Sequence, residues 1–98
     1  MSDRELIELA AKAAGIEKDL VGYISEKGLP MNWNPLTDDG DALRLAAALG
    51  IAFTPFKSDV AAQRAGFPIV TESVGGEPLA AARRAIVRAA AEIGRSMP

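Results

Sequence analysis

The stretch Trp33-Asn34-Pro35-Leu36-Thr37-Asp38-Asp39-Gly40-Asp41-Ala42-Leu43-Arg44-Leu45-Ala46 sets the frame of the chain. An extended segment must end before Pro35, because the residue preceding a proline is pushed out of the helical region. Thr37 or Asp38 then caps a helix. Asp38, Asp39 and Asp41 fall in its first turn, where the helix dipole favours negative charge by about 0.3–1 kcal/mol per residue. Ala42, Leu43, Leu45, Ala46, Ala47 and Leu49 supply apolar positions, and Gly50 closes the helix. Few polar residues follow Arg44, so this helix is expected to be covered on more than one side.

Toward the N-terminus, Ser2 and Glu5 form an S-x-x-E capping box. Leu6, Ile7, Leu9, Ala10, Ala13 and Ala14 repeat at helical spacing, and Gly15 supplies the stop, which predicts a helix from Asp3 to Ala14. Leu20-Val21-Gly22-Tyr23-Ile24 reads as a strand and Glu26-Lys27-Gly28 as a turn. Leu29 to Trp33 reads as a second strand pairing back, with Pro30 confining it to an edge or a bulge.

Toward the C-terminus, Ile51 to Phe56 alternates bulky and small residues as a strand does, with Pro55 marking an edge or an end. Ser58 to Ala65 fits either one helical turn or a loop. Phe67 to Ser73 reads as a further strand, with Val70 and Glu72 expected on alternate faces. Val74-Gly75-Gly76 is a link, and Glu77-Pro78 opens the last helix. Its apolar stripe is Leu79, Ala82, Ile86, Val87, Ala90 and Ile93, with Arg84, Arg88 and Arg95 on the other side. Gly94 and Pro98 are expected to weaken its end.

The order is helix, one or two strands, helix, two strands, helix. It predicts an α+β fold: a small, mainly antiparallel sheet of three to four strands covered by three helices, an α-β-α sandwich. The helices at the two ends of the chain, both alanine-lined, are expected to pack side by side. With 98 residues the chain makes one domain, residues 1–98.

Composition excludes several kinds of chemistry. Apolar residues make up 49% and charged residues 24%, too apolar for a disordered chain. There are no cysteines, so neither disulfides nor thiolate catalysis is available, and no histidines, which removes the commonest general base and metal ligand. A net charge of −2 argues against a general nucleic-acid binder. The first residues are charged and open a helix rather than an apolar signal, and no run approaches the roughly 18 apolar residues of a membrane span. The expectation is a cytoplasmic protein without a membrane segment.

Three stretches carry a resemblance: Trp33 to Leu49, the opening Asp3-Arg4-Glu5-Leu6-Ile7-Glu8-Leu9-Ala10-Ala11-Lys12-Ala13-Ala14-Gly15, and the closing Ala80 to Arg95. Together they resemble small phage and prophage proteins of the phage ABA (α-β-α) sandwich domain family. The middle, Lys57 to Gly75, departs from that pattern. The resemblance implies a sheet between helical layers, phage or prophage origin and action inside a bacterial host. It implies no activity, substrate or catalytic residue.

Each suggestive residue also has a purely structural explanation. Asp38, Asp39 and Asp41 offer hard oxygen ligands for Mg²⁺ or Ca²⁺, but they lack calcium-loop spacing, and helix capping explains them without a metal. Trp33 could stack on a ligand; core packing next to Pro35 and Leu36 is favoured by the area a tryptophan buries. Arg83, Arg84, Arg88 and Arg95, with Arg44 and Arg64 elsewhere, could meet phosphates or an acidic surface; a solvated face balanced by acids is the competing account. Gly75-Gly76 lacks the lysine and spacing of a phosphate loop, and without histidine Ser25, Ser58 and Ser73 belong to no ordinary triad.

The sequence thus points to a non-enzymatic interaction module with no cofactor and no metal. Its partner is expected to be a host or phage protein, or a second copy of itself. Nucleic acid is the less favoured alternative. The contact surface is expected at Arg83, Arg84, Arg88, Arg95 and Trp33, together with Lys57–Gly75.

Overall fold

One helix is enclosed by nearly everything else in this chain. In the computed structural model, residues 1–18, 22–24 and 30–98 are described. The elements, in order, are α1 (Asp3–Ala14), β1 (Glu17–Lys18), β2 (Tyr23–Ile24), β3 (Pro30–Met31), α2 (Asp39–Leu49), β4 (Ala52–Pro55), β5 (Asp59–Gln63), β6 (Val70–Ser73) and α3 (Pro78–Ser96). Helix α3 packs against α1, α2 and all three strands β4–β6. Its residues Ala81, Ala85, Ile86, Val87, Ala89, Ala90, Ala91, Ile93 and Gly94 are buried.

The α+β class, the antiparallel strands and the three helices agree with the sequence reading. The arrangement is finer than expected. The strands divide into two three-stranded antiparallel sheets, β1-β2-β3 and β4-β5-β6, rather than one. The middle layer is α3 itself, between the helices α1 and α2 and the β4–β6 sheet. The radius of gyration, 12.9 Å, matches the ~13 Å of a compact chain this long.

Local signals place the helix ends where the sequence predicts. The Ser2 hydroxyl accepts from the Glu5 amide and Glu5 reaches back to Ser2, completing the capping box of α1. Asp38 caps α2 by accepting from the Asp41 amide at 2.8 Å. Gly15 and Gly50 end α1 and α2 at φ values of +71° and +66°, which side chains with a Cβ rarely adopt. Pro78 opens α3, with Glu77 accepting from the Leu79 amide.

The α1–α3 contact rests on small residues. Ala10 and Ala11 of α1 are buried, and so are Ala90 and Ala91 of α3, which lie one turn before Gly94 on its side of the helix. A Cβ at Gly94 would stand 2.0 Å from the Leu9 carbonyl oxygen. Gly94 therefore does not loosen the end of α3, as expected from its propensity. It lies within the helix and lets the α1 backbone touch it. Propensity costs a glycine about 1 kcal/mol in a helix, and close packing along the whole contact outweighs that.

Three further expectations are corrected. Helix α2 is covered on one side only, with Leu43, Ala47 and Ala48 exposed. Its alanines carry too little apolar area to demand a second cover. Leu79, placed in the apolar stripe of α3, is exposed at 58%, because it precedes the buried stretch. Val70 and Glu72 share a face rather than alternating, as residues two apart in a strand must, and both turn toward α3.

Ser58–Ala65 is neither a helical turn nor a loop: it is mostly β5, the central strand of its sheet. Pro55 ends β4, an edge strand, as expected. Of the first sheet, β2 and β3 match parts of the two predicted strands and pair as predicted, whereas β1 was not foreseen. The expected turn at Glu26-Lys27-Gly28 and the expected strand residues Leu20, Val21 and Leu29 lie outside the described residues.

Among the described residues, Tyr23 and Met31 pack the first sheet against the core, and Lys18 bridges it to α1. Tyr23 meets Trp33 edge to face, with centroids 5.3 Å apart. Lys18 Nζ donates to Glu8 on α1 at 3.0 Å. Hydrogen bonds from Lys18 and Arg4 hold the Glu8 carboxyl below its ordinary value, and burial pushes the Tyr23 phenol up.

Replacing Gly94 with alanine is expected to cost about 3 kcal/mol, the upper range for overpacking, because the obstruction is backbone rather than a movable side chain. Urea denaturation measures it. A cost below about 1 kcal/mol would mean that the two helices separate easily.

Candidate functional site

Along the centre of α3, nearly every position is buried except one ridge, Arg84, Arg88 and Glu92, which leads to the exposed Arg95. These residues are four, four and three apart, so they follow one side of the helix. The ridge lies in a cleft bordered by the start of α1 and by β6. The cleft has a volume of about 360 Å³ and is lined by Leu6 and Val70 together with Glu72, Arg84, Arg88, Glu92, Arg95 and Met1. Both Leu6 and Val70 are 6% exposed and make an apolar floor.

The charges in the cleft are already largely paired. Arg84 donates to Asp3 at 2.9 Å and lies 3.8 Å from Glu72. Arg88 donates to Glu72 and, at 2.9 Å, to the Thr71 carbonyl oxygen. Arg95 differs: among the described residues its nearest carboxylate is Glu92 at 3.5 Å, and its other contact is the Met1 sulfur at 3.5 Å. It is also the most exposed of the three, at 53% of its side chain.

The Thr71 contact covers an edge of the β4–β6 sheet. The Phe56 amide donates to Asp59 O and the Val74 amide to Ser58 O, which fixes the alternation of the ladder. By that alternation, Phe53 and Pro55 face outward from β4, and Thr71 and Ser73 face outward from β6. Pro55 has no N–H to offer, and the Thr71 carbonyl is taken by Arg88. Both edges are thereby blunted against strand addition.

The other predicted residues are placed elsewhere. Arg83 turns to α2, donating from Nε to Leu36 O at 2.8 Å and from its terminal nitrogen to Asp39 at 2.6 Å. It does not join the ridge, being about 100° around the helix from Arg84. Trp33 is 8% exposed and packs in the core, as the competing account held. Arg64 lies over the Phe67 ring, 5.8 Å from its centroid, and Arg44 pairs with Asp41 at 2.8 Å.

The three aspartates of the α2 start are each engaged by neighbouring groups, two of them beside Arg44. Asp38 caps the helix and Asp39 pairs with Arg83. Asp41, at 9% exposure, accepts from the Asn34 amide at 2.9 Å and from Arg44. Asn34 in turn accepts from the Leu36 amide at 3.0 Å, an Asx turn that carries the chain past the buried Pro35. Among the described residues no three carboxylates gather as a metal cage.

Sequence reasoning found the arginine ridge but missed Asp3, Leu6 and Glu72, which complete the cleft from α1 and β6. The available signal was Glu72, an acid on a strand whose next inward neighbour, Val70, is apolar. Neither the protein-family models, the curated proteins nor the solved structures contain a match to this chain. No helix among the described residues is long and apolar enough to cross a membrane.

Two substitutions separate capping from metal binding. Asp38→Ala is expected to cost about 1 kcal/mol through the lost cap. Asp41→Ala is expected to cost about 2 kcal/mol, because it leaves the Asn34 amide without its acceptor. Thermal unfolding reads both, and added Mg²⁺ or Ca²⁺ leaves the wild-type midpoint unchanged. A midpoint that rises with either ion would contradict the capping account.

Proposed function

We propose that this chain is a phage or prophage accessory protein that acts by binding, without catalysis, inside the bacterial host cell. The phage assignment rests on the resemblance of Asp3–Gly15, Trp33–Leu49 and Ala80–Arg95 to the ABA-sandwich proteins. The binding role rests on one observation: the exposed ridge of an otherwise buried helix lines a cleft beside β6. Of the Lys57–Gly75 segment, β6 borders the ridge through Val70, Thr71 and Glu72. The partner is a host or phage protein, or a second copy of this chain.

Nucleic acid remains the second reading because three guanidinium groups share one ridge. The charge balance disfavours it. Arg84, Arg88 and Arg95 face Asp3, Glu72 and Glu92, so few positive charges are free to displace counterions from a phosphate backbone. A protein surface, with its mix of apolar and charged groups, suits such a cleft better.

Tagged protein captured from phage-infected cells is expected to carry one partner in stoichiometric amount. The double change Arg84→Gln with Arg88→Gln is expected to release it while circular dichroism stays native. A strictly monomeric protein that recovers nothing would overturn the reading. Tight, strongly salt-dependent binding to a DNA or RNA oligonucleotide would replace it with the second one.

A further inference from the structure

We infer that Arg88 makes an autoinhibitory contact that keeps the β6 edge from pairing with the β6 of a second copy of this chain. Of the two edges of the β4–β6 sheet, β4 is closed at Pro55, which has no N–H to donate. The β6 edge is different. Thr71 and Ser73 point their backbone groups away from β5, and both residues are exposed. Among the described residues, the hydrogen bond made on that side is the Thr71 carbonyl oxygen accepting from Arg88 Nη1 at 2.9 Å.

The position of that guanidinium decides what the edge can do. Strand β6 has four residues, so its outward positions are Thr71 and Ser73 alone. An added strand lies about 4.8 Å away and brings its own N–H nitrogen to about 2.9 Å from the same carbonyl oxygen. The Arg88 guanidinium already stands there, so a strand beside Thr71 must displace it. Glu72, on the face toward α3, pairs with Arg88 and holds it in place.

Self-complementarity selects the occupant. Two β6 strands running antiparallel about a twofold axis need no foreign sequence. Centred on Glu72, such a pair would set two carboxylates directly opposite each other, which is unfavourable. Centred on Thr71, it sets Glu72 against the second copy's Val70, and the two Thr71 residues exchange both backbone hydrogen bonds. The favoured register is therefore centred on the carbonyl that Arg88 covers.

Sedimentation velocity over a concentration series, combined with NMR amide exchange of the full chain, tests this. Arg88→Ala and Arg88→Gln both leave the Thr71 carbonyl uncovered. Each is expected to add an association step absent from the wild type, reaching about twice its mass and slowing exchange of the Thr71 amide about tenfold. Arg88→Lys keeps a charged donor for the carbonyl and is expected to associate less. Adding Ser73→Pro to Arg88→Ala removes the other outward N–H at an edge position that tolerates proline, and is expected to restore the wild-type mass. Wild-type mass at every concentration in a variant whose circular dichroism is native would overturn the inference. So would association that survives Ser73→Pro, or that leaves the Thr71 amide exchanging as in the wild type.

Discussion

The approach of α1 to α3 at Gly94 is the constraint on which the rest of the molecule depends. With the Leu9 carbonyl where a Cβ would be, the two helix backbones are in contact at one end. Alanines extend that closeness, with Ala10 of α1 and Ala90 of α3, one turn before Gly94, fully buried. Such a contact contributes many small dispersion terms rather than a few large side-chain burials. The larger core residues, Leu6, Leu45, Ile86, Val87, Ile93 and Val60, add about 1.5–3 kcal/mol each where they are fully removed from water. Aromatic residues take a minor part: Trp33 is buried, while Phe53 and Phe56 are exposed.

Enclosure of α3 leaves little of the helix open to solvent. With α1 and α2 on one side and β4–β6 on the other, its central turns have one ridge left for solvent. That ridge is polar of necessity, and its arginines are held by acids from α1 and β6. Exposed pairs of this kind add little stability, typically about 0–1 kcal/mol each. Their consequence is geometric instead. Asp3 and Glu72 fix Arg84 and Arg88 in place.

The parts of the fold legible in the sequence are those decided within one turn of chain. Ser2 with Glu5, Asp38, Gly15, Gly50 and Glu77-Pro78 each start or stop a helix through neighbours a few residues away. The parts that were not legible depend on distant partners. Gly94 reads as a helix breaker until Leu9 is seen against it. Helix α2 reads as deeply buried because its alanines count as apolar, although they demand little cover. The division of the strands into two sheets rests on pairings between strands that no local pattern announces. In the cleft, the arginines were visible as a ridge from their spacing, whereas Asp3 and Glu72 reach it from 81 and 16 residues away.

If α3 is the enclosed axis, its centre must open only when the whole molecule does. Native-state hydrogen exchange in low urea measures this residue by residue. The amides of Ala85 to Ala91 are expected to exchange at the free energy and urea dependence of global unfolding, above those of α2 and of both sheets. Exchange of those amides through small local openings, with α2 or the β4–β6 sheet more protected, would contradict the account.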